Sequence, residues 1–221
     1  MKITHAFQHL AAIAAAVIAM TVSPAVMADG GLVEGYPDNW QTLDPREVNM
    51  LPEYCKYTQI YRSVVQARDT AVQVKRWTAI LGPTFHALHH YCNAILKTNR
   101  ALLLSTTAQT RKFYLESSIP ELDYVINRAP KDFVLLPEIL TKKGENQLRL
   151  NKVVLGMETL QNAIALKPDY WPPYTVLADF YKEHNHPAEA RAVLEKALEH
   201  SPDAEAVKRR LAALGGSTAI K

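Results

Sequence analysis

Residues in the last third of this chain recur at a spacing of 34. Leu160 pairs with Leu194, Ala163 with Ala197, Pro168 with Pro202, and the small residue Gly156 with Ala190. A period of that length constrains the fold more than any other feature. It fits one supersecondary unit, a helix–turn–helix, whose apolar face is buried only by stacking on a neighbouring unit. The residue types agree with close helix packing: small ones let paired helices approach, and leucines fill the groove between them. His184-Asn185-His186-Pro187 supplies a turn, with Pro187 opening the second helix and Pro202 ending it. No strand-like alternation of useful length occurs anywhere, so the chain reads as all-α.

Within that period, Trp171 to Ala204 resembles a tetratricopeptide repeat. With Trp171 as the first repeat position, the match is Tyr174, Leu177, Ala178, Tyr181, Ala190, Leu194, Ala197 and Pro202. The resemblance implies a helical-hairpin array, an α-solenoid, whose repeat region spans 133–214 and ends in a solvating helix at 203–214. A short flexible tail, 215–221, follows. One unit upstream, Leu140, Gly144, Gly156, Leu160, Ala163 and Pro168 fit the same frame. There Gln147 takes the place of the aromatic residue, and Leu150-Asn151-Lys152-Val153 holds no recognisable turn. Glu145 to Leu166 is therefore also readable as one long helix. The resemblance further implies a binding module rather than a reaction, with a protein or peptide partner on a concave face lined by the first helix of each unit. In the 171–204 repeat that face would carry Thr175, Asp179, Lys182 and Glu183, which share one side of a helix. A solvated face without a partner is the plainer reading of the same stripe.

Met1 to Ala28 reads as a secretory signal peptide. Lys2 and His5 make a weakly basic start, Leu10 to Val22 is an apolar run, and Val26-Met27-Ala28 suits cleavage before Asp29. That run, at about 20 Å as a helix, falls short of a hydrocarbon core of about 30 Å, which favours cleavage over a membrane anchor. No cysteine follows the run to carry a lipid. The expectation is an exported protein of an oxidising compartment, the bacterial periplasm, with no transmembrane segment in the mature chain. Residues 29–43, with Trp40, form an extended lead-in to a divergent helical region at 44–132. There Asp44-Pro45-Arg46-Glu47 starts a helix as a cap, a proline at the first position and a capping-box glutamate. Glu53 to Trp77 is helix-compatible, Phe85 to Leu104 follows the Leu81-Gly82-Pro83 stop, and Arg111 to Asn127 is helical with a kink or start near Pro120.

The candidate chemistry lies in Cys55, His86, His89, His90 and Cys92. The two cysteines, in successive helices, suit a disulfide in an exported protein, and closing that loop would stabilise the fold by about 3–4 kcal/mol. The competing reading is a metal or haem site using His86, His90 and Cys92, since two histidines four apart share a helical face. Neither a CxxCH haem attachment nor an HExxH pattern is present. A cysteine nucleophile with a histidine base is the third reading, and no oxyanion-type glycine turn supports it. The nearby Tyr54, Tyr57, Tyr61, Trp77, Phe85 and Tyr91 read as a core between helices, or else as a surface for a partner or glycan. Lys208-Arg209-Arg210 reads as the outer face of the last helix, or as a contact for lipid heads or polysaccharide.

The formal charge of +3 is too small for a nucleic-acid binder, and only 8 glycines, none in a phosphate loop, argue against a nucleotide enzyme. We therefore expect no cofactor and no catalysis. The function expected is that of a periplasmic adaptor for another protein, in an envelope assembly. A metal- or haem-responsive binding protein is the alternative. Oligomeric state is left open.

Overall fold

The computed structural model describes Leu32, Val33, Tyr36 and residues 42–66 and 68–216. The expected signal peptide, most of the lead-in with Trp40, and the tail from 217 lie outside the described residues. Ten α-helices are present among those described: α1 Pro45–Val48, α2 Tyr61–Val64, α3 Thr70–Leu81, α4 Leu88–Asn99, α5 Ala108–Ile126, α6 Leu136–Arg149, α7 Val153–Leu166, α8 Pro172–Glu183, α9 Pro187–His200 and α10 Glu205–Gly216. Single 3₁₀ turns occupy Glu53–Tyr57 and Pro83–Ala87, and α4 widens into a π turn at Arg100–Leu104. The fold is an all-α, tetratricopeptide-like array.

The last five helices follow the sequence period closely. Both bounds of α7 recur in α9 one period later, as does the end of α6 in α8. Each helix packs on the next, from α6 through to α10. Small residues set the spacing. A β-carbon built on Gly144 would lie 2.6 Å from the Leu160 Cγ and 3.0 Å from the Gly156 carbonyl oxygen, so α6 and α7 touch backbone to backbone. The long helix read over Glu145–Leu166 is not formed. Asn151 takes a left-handed φ of 59°, and its counterpart in the next unit, Asn185, takes 61°. Asparagine tolerates this conformation because its short amide compensates locally, so it closes each hairpin. Among its described residues α10 buries Val207 and Leu214 against α9 and turns Lys208 and Arg209 to solvent.

Upstream, Asp44 caps α1, its carboxylate accepting from the Arg46 amide at 2.7 Å. The continuous helix read over Glu53–Trp77 is broken. The Thr58 hydroxyl donates to the Cys55 carbonyl at 2.8 Å, competing with helix propagation, and Gln66 and Asp69 adopt left-handed φ values of 46° and 50°. These breaks let Tyr54, Cys55 and Tyr61 enter one core with Phe85, Leu88, Tyr91 and Cys92. The aromatic residues are thus core: Tyr57 and Trp77 pack at its margin. Helix α5 starts ahead of Arg111, at Ala108, and is capped by Thr107, whose hydroxyl accepts from the Thr110 amide. It pairs with α4 as a hairpin and passes the stack on to α6. Pro120 sits inside α5 rather than at its start.

Candidate functional site

The first helices of successive units, α6 and α8, face each other across an open groove of about 250 Å³. Leu148 and Val176 with Phe180 make its apolar walls, and Glu145, Arg149, Asp179 and Glu183 carry its charges. The walls follow from the repeat. Glu145 and Asp179 are one period apart, and so are Arg149 and Glu183.

Most of the charges are held internally. Arg149 donates from Nη2 to the Glu145 Oε1 at 2.8 Å, and Lys142 Nζ reaches Oε2 at 3.1 Å. Burial alone would raise the Glu145 pKa, but Lys142 and Arg149 outweigh it and hold the carboxyl below its ordinary value. Asp179 receives the Arg210 guanidinium of α10 at 3.0 Å, so α10 braces the groove. The His184 Nδ1–H donates to the Phe180 carbonyl at 2.8 Å, and its ring lies 4.1 Å from the phenyl ring. His184 thereby fixes Phe180 as a wall. A groove with apolar walls and a rim of both charges suits an extended peptide or a helix edge rather than a small polar metabolite.

Of the four residues read as the partner face, Asp179 and Glu183 line this groove. Thr175 is 4% exposed and its hydroxyl donates to the Pro172 carbonyl at 2.8 Å. Thr141, its counterpart in the preceding unit, does the same toward Pro137. Lys182 is exposed but does not line the groove. The stripe that faces the groove is Val176, Asp179, Phe180 and Glu183, one notch around the helix. Sequence reasoning missed Glu145, Arg149 and Phe180. Applying the period backwards from Asp179 would have found the first.

The cysteine and histidine cluster resolves differently. Cys55 and Cys92 are joined by a disulfide and fully buried. Neither sulfur is then a thiolate, which removes both the nucleophile reading and a Cys92 metal ligand. His86 belongs to the 3₁₀ turn before α4, so it does not share the helical face of His90. His90 Nδ1 is 2.6 Å from the Glu121 Oε2, and Lys97 donates to Oε1 of the same carboxylate at 2.7 Å. The His90 ring stacks on Tyr124 at 3.6 Å, and Arg128 lies 3.7 Å over that tyrosine ring. His89 turns its Nδ1 to the His86 carbonyl at 3.0 Å. Among the described residues no three His, Cys, Asp or Glu side chains converge as metal ligands. The competing metal set of His86, His90 and Cys92 is not assembled, and His90 instead ties α4 to α5 through Glu121.

Residues 155–214 match the tetratricopeptide repeat family model. The C-terminal region is thus a tetratricopeptide-like array of helical hairpins. The match opens within α7 and closes in α10, and the hairpin geometry carries the same period back to α6. No curated protein matches this chain. Tetratricopeptide arrays are scaffolds for protein–protein interaction, presenting a concave surface rather than a reaction centre. Among the described residues no helix is long and apolar enough to cross a membrane.

Proposed function

We propose that this protein is an exported, periplasmic adaptor, non-catalytic, which holds a segment of an envelope-assembly protein in the α6/α8 groove. The single observation that carries the reading is the groove itself: apolar walls from two successive repeats, with charges fixed by Arg149, Lys142 and Arg210. Export rests on the signal-peptide pattern of residues 1–28, and the disulfide is compatible with an oxidising compartment. The assignment to an envelope assembly rests on where such arrays are commonly used.

The test is photo-crosslinking from a probe placed at Val176 in the protein expressed in its host. A specific crosslinked partner, lost when Phe180→Glu is introduced, supports the adaptor. The same crosslinks in both, or none, counts against it. Fractionation of the unmodified chain, with the mass of its N-terminus, checks export and cleavage before Asp29 separately.

A further inference from the structure

A second surface, bordering the groove at Asn151, lies at the turn end of the first two hairpins. Leu150 packs with Ala101, Leu104, Tyr114 and Leu115, so the turn from α4 to α5 and the turn from α6 to α7 sit side by side. On their outer side large apolar residues stand in solvent: Leu103 is 62% exposed, Phe113 48%, Val154 79% and Leu155 51%. Their neighbours Arg111, Lys112 and Lys152 are exposed cations. Among the described residues the carboxylate nearest Lys112 is that of Glu116, at 3.9 Å.

The fold does not require these choices. At the equivalent positions of the next hairpin, one period on, Ala188 stands for Val154, Glu189 for Leu155 and His186 for Lys152. Those residues build the same turn and helix start with a polar tip. Lys152 also stands at the cap position of α7 without a side-chain capping bond, and a cation there opposes the helix dipole. A residue set costly to the local helix and unneeded by the repeat points outward, to something it contacts.

We propose that this edge docks on the surface of an anionic lipid bilayer. Leu103 stands on the π turn and Phe113, Val154 and Leu155 on the early turns of α5 and α7, exposed to solvent and flanked by long cationic side chains whose stems extend their reach. That arrangement suits shallow insertion at the headgroup boundary, apolar tips below and ammonium groups at the phosphates. The charge selects the lipid: exposed cations favour an anionic leaflet and gain nothing from a zwitterionic one. None of these apolar residues or cations lines the groove between α6 and α8, which adjoins the edge at Asn151.

The experiment is vesicle flotation of the chain from Asp29 onward, which keeps every described residue. Mixed phosphatidylglycerol–phosphatidylcholine vesicles are compared with pure phosphatidylcholine. Binding is expected to the mixed vesicles alone, weakening as salt is raised. Leu103→Glu with Val154→Glu should lower the partition about tenfold or more. Lys112→Glu with Lys152→Glu should lower it about fivefold for each cation removed. Val72→Glu, on the exposed side of α3, should change nothing. The second pair serves if the first perturbs the circular dichroism. Absence of flotation, or full flotation of both paired variants, overturns the proposal. So does a dimer in sedimentation equilibrium that Leu103→Glu with Val154→Glu dissociates in the absence of vesicle binding, since the edge would then face a second copy.

Discussion

Arg100 and Glu47 are fully buried side chains of opposite charge, and they hold α1 against the end of α4. The guanidinium donates to the two carboxylate oxygens at 2.5 and 2.7 Å and to the Thr42 carbonyl at 2.6 Å. Breaking such a pair leaves one charge in a dry interior, which costs more than the pair itself contributes. Glu47→Gln should therefore destabilise the chain by about 3–5 kcal/mol in a urea melt, whereas breaking the exposed pair of Lys208 and Glu205 should leave the melt unchanged. His89 gives a second residue-scale prediction. Burial, then the neighbouring His90, lowers its pKa below the ordinary 6.5. The unfolded chain thus takes up that proton before the folded one. The contribution is fully present above pH 6.5 and is lost as pH falls from there toward the depressed folded value. Glu121 acts further down: burial raises its pKa, but Lys97 and His90 outweigh this, so its contribution fades only below 4.5. His89→Gln should flatten the thermal-melt profile between pH 6.5 and the Glu121 range. An unchanged slope there would show that His89 does not carry it.

At the scale of elements, hairpin spacing depends on Gly144 and Gly156, each of whose added β-carbon would lie 3.0 Å from the other's carbonyl oxygen. Gly144→Ala should push α6 from α7 and cost about 1–3 kcal/mol as an overpacking change. Ala178, the counterpart of Gly144 in the next unit, already carries that β-carbon, so Ala178→Gly should cost about 1 kcal/mol from helix propensity alone. Asn151→Ala should lose about 1 kcal/mol, and Asn151→Gly little, because only the left-handed backbone is at stake. The same residues explain what was legible. The repeat at 171–204 is readable because Trp171, Ala178, Ala190 and Pro202 carry distinctive chemistry at fixed offsets. The hairpin before it is harder to read because its turn depends on the φ of Asn151, for which sequence offers only a weak preference. The groove shares that fate. Helical spacing locates Asp179 and Glu183, but the choice between Val176 and Thr175 depends on a rotation of α8 that is set by packing. The broken helix at 53–77 was hidden because Thr58, Gln66 and Asp69 are ordinary polar residues until their backbone angles are known.

On the scale of the whole molecule, the core is divided. One cluster joins the Glu53–Tyr57 turn, α4, α5 and the start of α6 around the disulfide, and another fills α8, α9 and α10 around Tyr174 and Leu194. Between them α7 passes contacts from one to the other, as a linear array does. Stability in such an array is a sum of local and nearest-neighbour terms, so damage at one end need not spread. The bond between Cys55 and Cys92 closes a loop with a sequence separation of 37, which on the chain-entropy account adds about 3–4 kcal/mol to the N-terminal cluster. Cys55→Ser with Cys92→Ser should then speed amide exchange in α4 and α5 by about two to three powers of ten, at about 1.4 kcal/mol for each tenfold. Amides of α8 and α9 should hold within a few-fold, because their own cluster contains no residue from the bonded region. Exchange rising equally along the chain would instead make the two clusters one cooperative unit, and the disulfide would then support the partner groove as well as the N-terminal region.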